Sequence, residues 1–187
     1  MKTFCKIFGL AGFVLFFAGC SKNNNDPGVF NCFFLQVGNQ WNYDYTEFFS
    51  SSTLKQTIES ESNGVYRVAQ SFNSGVPSYQ NWITDGSYLE VYLDGESESD
   101  AQKIFKCQAS IGDSWHNPSR SVSGGTVYYK VVALNESITT SVGDFICTKI
   151  EVTFSYGANI QYNYWSDNYG LVFQDGFVSL DLTSKNF

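Results

Sequence analysis

Ile146-Cys147-Thr148-Lys149-Ile150-Glu151-Val152-Thr153-Phe154 is the stretch on which the fold turns. Ile146, Ile150, Val152 and Phe154 share one parity; Lys149, Glu151 and Thr153 take the other. A period of two is the mark of a strand with one buried face. The same period recurs outward in the chain. Trp41, Tyr43 and Tyr45 alternate with Asn42, Asp44 and Thr46, and Leu89, Val91 and Leu93 with Tyr88, Glu90 and Tyr92. Val127, Tyr129 and Val131 face away from Tyr128, Lys130 and Val132. Turn signals separate the runs: Ser62-Asn63-Gly64, Asp85-Gly86, Asp94-Gly95, Ser123-Gly124-Gly125 and Asp175-Gly176. No ten-residue stretch beyond the amino-terminal segment fits helical spacing better. The pattern predicts one all-β, antiparallel domain over residues 29–187. About ten to twelve strands at this spacing suit a curved sheet or half-barrel, or a β-sandwich.

The amino-terminal segment is of another kind. Lys2 and Lys6 precede an apolar run from Ile7 to Ala18, followed by Gly19 and Cys20. This is the layout of a secretory signal peptide over residues 1–19. Phe17-Ala18-Gly19-Cys20 resembles a bacterial lipobox, with Phe17 where an aliphatic residue is usual. The resemblance implies that Cys20 becomes the lipidated first residue, free secretion being the alternative. The run is shorter than the about 20 residues a membrane-spanning helix needs. Residues 20–28 are polar and end in Pro27-Gly28, which reads as a flexible tether. Ser21 resembles the sorting signal of outer-membrane lipoproteins.

The chain carries a net charge of −7, and loss of Lys2 and Lys6 makes the mature part more negative still. Such a chain repels phosphate backbones and anionic headgroups, so nucleic acid is excluded as an expected partner. Contact with the membrane must then come through the lipid, from two or three acyl chains (palmitate-like) at Cys20. Cys32, Cys107 and Cys147 remain after processing, allowing one bridge and one leftover thiol in an oxidising compartment. A Cys107–Cys147 bridge is the expectation, contributing on the order of 4 kcal/mol in the chain-entropy model. Cys32 competes for either partner, and three buried thiols are the plain alternative.

One short pattern occurs twice, 74 positions apart: Val37-Gly38-Asn39-Gln40-Trp41 and Ile111-Gly112-Asp113-Ser114-Trp115. Val142-Gly143-Asp144-Phe145 is a weaker third copy. Glycine permits a left-handed turn, Asn or Asp caps it, and the aromatic opens the next strand. These pieces, with Phe34-Leu35 before the first, Cys147 after the third and Tyr164-Trp165 through Gly170-Leu171-Val172 at the end, resemble a functionally uncharacterised group of exported lipoproteins common in Bacteroidota. Phe34 stands where that group usually has proline. The resemblance implies an all-β domain of the cell envelope and brings no catalytic residue.

Candidate chemistry is sparse. His116 is the one histidine, and Asp113, Ser114 and His116 are neighbours in sequence without a nucleophile elbow. Asp94, Glu96, Glu98 and Asp100 alternate and could wrap Ca²⁺, but a solvated hairpin tip explains them more cheaply. No catalytic residue, metal site or cofactor is therefore expected. Trp41, Trp82, Trp115 and Trp165 are either platforms for a glycan, or turn locks (Trp41, Trp115) and core filler between sheets (Trp82, Trp165). A wall of Phe and Tyr could instead hold an apolar ligand such as an acyl chain. The expectation is a non-enzymatic, lipid-anchored outer-membrane protein with a binding or structural role, its partner a glycan, an apolar ligand or another envelope protein. A hydrolase is the remaining alternative.

Overall fold

Each turn signal lies at a chain reversal. Asn63 and Gly64 adopt φ of 54° and 81°, the left-handed pair that a tight hairpin requires. In this computed structural model, which describes residues 32–47 and 50–187, the reversals link twelve strands. These are β1 (Gln40–Glu47), β2 (Ser50–Ser62), β3 (Val65–Phe72), β4 (Ser78–Thr84), β5 (Tyr88–Leu93) and β6 (Gln102–Lys106). After them come β7 (Ser114–Pro118), β8 (Thr126–Thr140), β9 (Gly143–Phe154), β10 (Ile160–Ser166), β11 (Gly170–Asp175) and β12 (Val178–Asn186). A single 3₁₀ turn, Glu98–Asp100, interrupts the β5–β6 connection. The signal peptide, Cys20 and the tether through Gly28 lie outside the described residues.

All pairings are antiparallel, and the strands form one sheet in the order β6-β5-β4-β3-β2-β1-β12-β11-β10-β9-β8-β7. Two six-stranded meanders, β1–β6 and β7–β12, are thus joined through β1 and β12. The sheet edges are β6 and β7, which are consecutive in sequence; curvature brings them together into a nearly closed barrel. No backbone ladder crosses this seam. Instead the Asn117 side chain stands in for a strand: its amide donates to the Lys103 carbonyl at 2.8 Å, and its oxygen accepts from the Lys103 N–H at 3.2 Å. Trp115 Nε1 donates to the same carbonyl at 2.9 Å, and Gln102 donates to the Pro118 carbonyl at 2.9 Å. A single curved sheet replaces the sandwich alternative.

The repeated pattern builds the same device twice. Gly38 and Gly112 have φ of 94° and 91°. Gly38 N–H donates to the Ile58 carbonyl, and Ile58 N–H returns a bond to the Asn39 carbonyl. Gly112 and Asp113 make the same reciprocal pair with Val131. The two turns open β1 and β7, the first strands of the two meanders, and deliver Trp41 and Trp115 to the interior.

The inward face is the predicted one along β1, β5 and the first half of β8. In β9 it holds for the buried Ile150 and Val152 but not at Ile146, which is 60% exposed while Cys147 takes the buried place. Register shifts against β8, between Val131 and Ala133 and between Ala133 and Glu136, exchange the two faces of this hairpin. The bridge also differs from expectation. Cys107 pairs with Cys32, their Cα atoms 6.2 Å apart, and Cys147 is free and buried. Cys107 sits in the β6–β7 turn, where the amino-terminal segment carrying Cys32 passes, whereas Cys147 lies on β9 and lines a hollow that Gln108 also borders.

This amino-terminal segment closes one end of the barrel. Phe33 N–H donates to the Asp167 carbonyl, Asn39 donates through its side chain to the Phe34 carbonyl at 2.9 Å, and Phe34 is fully buried. Its ring meets Trp41, Trp82 and Trp165 at 6.3, 6.5 and 6.3 Å. Phe105 stacks on Trp165 at 4.9 Å. Phe34 is therefore the plug of this end.

Candidate functional site

Above the plug the lumen is not filled. Inward positions of β2, β3, β4, β10 and β11 that sit in the apolar phase of their strands carry amides instead. Gln56 lies between Leu54 and Ile58, Gln70 between Val68 and Phe72, and Gln80 precedes Trp82 by one inward step. Gln161 and Asn163 precede Trp165 in the same way, and Gln174 follows Val172. With Trp41, Tyr43, Val91, Ile104, Arg120 and Tyr129 these side chains line a cavity of about 320 Å³. Cross-strand register explains the grouping: Trp41 opposes Gln56, Gln56 opposes Gln70, and Asn163 opposes Gln174.

Some of the polar wall is fastened. Gln161 donates to Asn163 at 2.8 Å, and Gln174 donates to the Val178 carbonyl at 3.0 Å. Trp41 Nε1 donates to the Tyr169 carbonyl, and the Tyr43 hydroxyl to the Leu171 carbonyl at 2.9 Å. Burial pushes the Tyr43 and Tyr129 phenols above their ordinary values, so both stay neutral. Other groups are unengaged. The side-chain amides of Gln56, Gln70 and Gln80 have no hydrogen-bond partner among the described residues. The buried indole nitrogens of Trp82 and Trp165 also lack partners.

The lumen is electrically neutral. Arg120 is its one charged lining residue, and its guanidinium is committed to Glu96 at 2.8 Å and the Val91 carbonyl at 3.0 Å. Arg120 belongs to the β7–β8 connection, at the end of the barrel opposite Phe34. A second hollow of about 330 Å³, lined by Gln108, Leu134, Cys147 and Asp167 among others, lies against Trp165.

Three of the four predicted tryptophans, Trp41, Trp82 and Trp165, converge on the lumen; none exceeds 5% exposure. Trp115 stands apart at the seam, stacked on Tyr129 at 5.3 Å and 2°. Asp113 does not face an imidazole. Its carboxylate accepts from Lys106 at 2.7 Å and from the Ser110 N–H, which together hold it below the usual range. Ser114 and His116 are exposed on the outer face of β7. The alternating carboxylates diverge: Asp94 reaches Arg67, Glu96 accepts from Leu93 N–H and Arg120, and Asp100 caps the Ser97 N–H. No cluster of three metal-ligating side chains occurs among the described residues. Cys20 lies outside them. Sequence reasoning missed the glutamines, whose signal is an amide on the buried parity of an otherwise apolar strand.

No protein-family model matches the sequence, and no curated protein does. The crystal structure of MucB is similar over 84% of this chain and 55% of that one, with 13% identity and a TM-score of 0.44. This chain thus spans about half of that protein's length.

Proposed function

We propose that this chain is a lipid-anchored, non-enzymatic binding protein of the outer membrane, which holds a small ligand inside its barrel. The observation that carries the binding role is the unfilled lumen walled by the unengaged Gln56, Gln70 and Gln80 amides. A protein that needed only a scaffold gains stability by packing apolar side chains there. Anchorage rests on the lipobox-like end at Cys20 and the lipoprotein resemblance. The described chain begins at the plugged end, which supports a mouth directed away from an anchor at Cys20.

Globomycin treatment or Cys20→Ala tests the anchor; accumulation of an unlipidated precursor is expected, and unchanged maturation refutes it. Native mass spectrometry of protein isolated from its own envelope tests the lumen. A small-molecule adduct lost in a lumen-filling Gln70→Trp variant is expected. Identical bare masses for both proteins overturn the binding reading. A structural role is the second reading, favoured by the near-complete enclosure of all four tryptophans, the most exposed being Trp115 at 9%.

A further inference from the structure

The geometry points to an uncharged, hydroxyl-rich ligand of one or two sugar rings as the occupant of the lumen, an assignment that rests on the binding reading above. Each unengaged group on the wall specifies part of the partner. The Gln56, Gln70 and Gln80 amides each both donate and accept, on three adjacent strands. A hydroxyl group has the same dual character, and a ring of hydroxyls offers several at once.

The rest of the wall excludes competitors. A carboxylate or phosphate would enter a chamber whose single cation, Arg120, is already neutralised by Glu96. Its desolvation would go uncompensated. An acyl chain would strip water from the three amides and return no hydrogen bond, which is the costly arrangement for buried polar groups. The indole faces and Val91 and Ile104 suit the C–H faces of a pyranose, which are apolar between polar rims. A cavity of about 320 Å³ lies at the small end of ligand pockets, too small for a longer glycan to enter whole.

The test uses the mature lipoprotein in lipid nanodiscs, so that no sugar-headed detergent competes. Isothermal titration and tryptophan emission are followed with glucose, galactose, N-acetylglucosamine, xylose, cellobiose and maltose, and with glucose 6-phosphate and palmitate as contrasts. At least one neutral sugar should bind and shift the emission, with glucose 6-phosphate and palmitate at least tenfold weaker. Gln70→Leu/Gln80→Leu and, separately, Trp82→Phe should each weaken that sugar about tenfold while circular dichroism stays unchanged. Sugar binding that ignores all three substitutions overturns the lumen assignment. Palmitate binding blocked by Gln70→Trp, with every sugar silent, overturns the ligand class and leaves the binding chamber standing. Silence from every probe, with the double Leu variant melting higher than the parent, overturns both, because the glutamines would then serve nothing.

Discussion

Asn117 does at the seam what a backbone ladder does elsewhere, so its loss should be felt out of proportion to its size. Asn117→Ala removes two neutral hydrogen bonds, each contributing about 0.5–1.5 kcal/mol net. The two ends of Lys103 are then affected differently. Its carbonyl keeps the Trp115 indole as donor, whereas its N–H loses the Asn117 oxygen, a penalty of about 1–3 kcal/mol for a buried group. The combined expectation is about 2–4 kcal/mol, since the two contributions overlap. For a domain of this size that is a fall in Tm of roughly 5–15 °C. Gln102→Ala, which deletes a more exposed seam bond, should cost under about 1 kcal/mol. Asn117→Asp supplies the sharper control. Protonated, it restores donor and acceptor; ionised, it sets a buried charge beside a carbonyl. The introduced carboxyl titrates higher in the folded state, so the variant should match the parent near pH 3.5 and weaken as pH rises. Urea unfolding of the disulfide-intact protein, followed by far-ultraviolet circular dichroism, measures all three. Asn117→Ala within 0.5 kcal/mol of the parent, or no worse than Gln102→Ala, would refute side-chain closure of the barrel.

Cys147 should resist iodoacetamide at pH 8 in the folded protein, because burial pushes its thiol up to about 12; in denaturant without reductant it should label while Cys32 and Cys107 are recovered as one linked peptide, and peptide mass mapping checks both. Cys107→Ser should lower stability by about 2–4 kcal/mol in the same urea assay. Gly38→Ala and Gly112→Ala should each cost about 1–2 kcal/mol, and nearly the same amount, because both force a β-carbon into a left-handed turn that is otherwise open; a large difference in urea midpoints would separate the two turns. Asp181 opposes Asp44 across β1 and β12, and desolvation first, then that neighbour, raises its carboxyl. The ionised form is therefore penalised on folding. Asp181→Asn should add about 0.2–1 kcal/mol at pH 7. That gain should fade as pH falls through the raised folded value and vanish below about 4. A gain independent of pH in parallel melting curves would contradict this account.

Much of the architecture is written along the chain. Alternation at Trp41–Tyr45, Leu89–Leu93 and Val127–Val131 names the inward face because a strand turns successive side chains by half a revolution. Each Asn-Gly, Asp-Gly or Gly-Gly pair marks a reversal because left-handed backbone is cheap there. The parity of Ile146 misleads because a bulge lies partly in the partner strand β8, and a strand carries no local trace of its neighbour's extra residues. Pairing of Cys107 with Cys32 is hidden for a related reason: cysteine spacing says nothing about which distant segment passes beside a given thiol.

The candidate site was half legible. Four tryptophans stood out as large amphipathic rings, but their rarity does not say which ones meet. Gln56, Gln70, Gln80, Gln161 and Gln174 looked like ordinary solvated residues, since an amide on a strand is unremarkable until the strand's inward parity is known.

From residue order alone come the antiparallel strands, the turns between them and the net negative charge, and the expectation of a lipoprotein-like leader is of the same local kind. These follow from properties local to a few neighbouring residues: hydropathy, backbone freedom and formal charge. Closure of the sheet through Asn117, the Phe34 plug and the convergence of glutamines over three indoles were decided only by the tertiary structure. They depend on which distant strands become adjacent when the curved sheet brings its edges together, and that is a property of the whole sheet rather than of any segment of it.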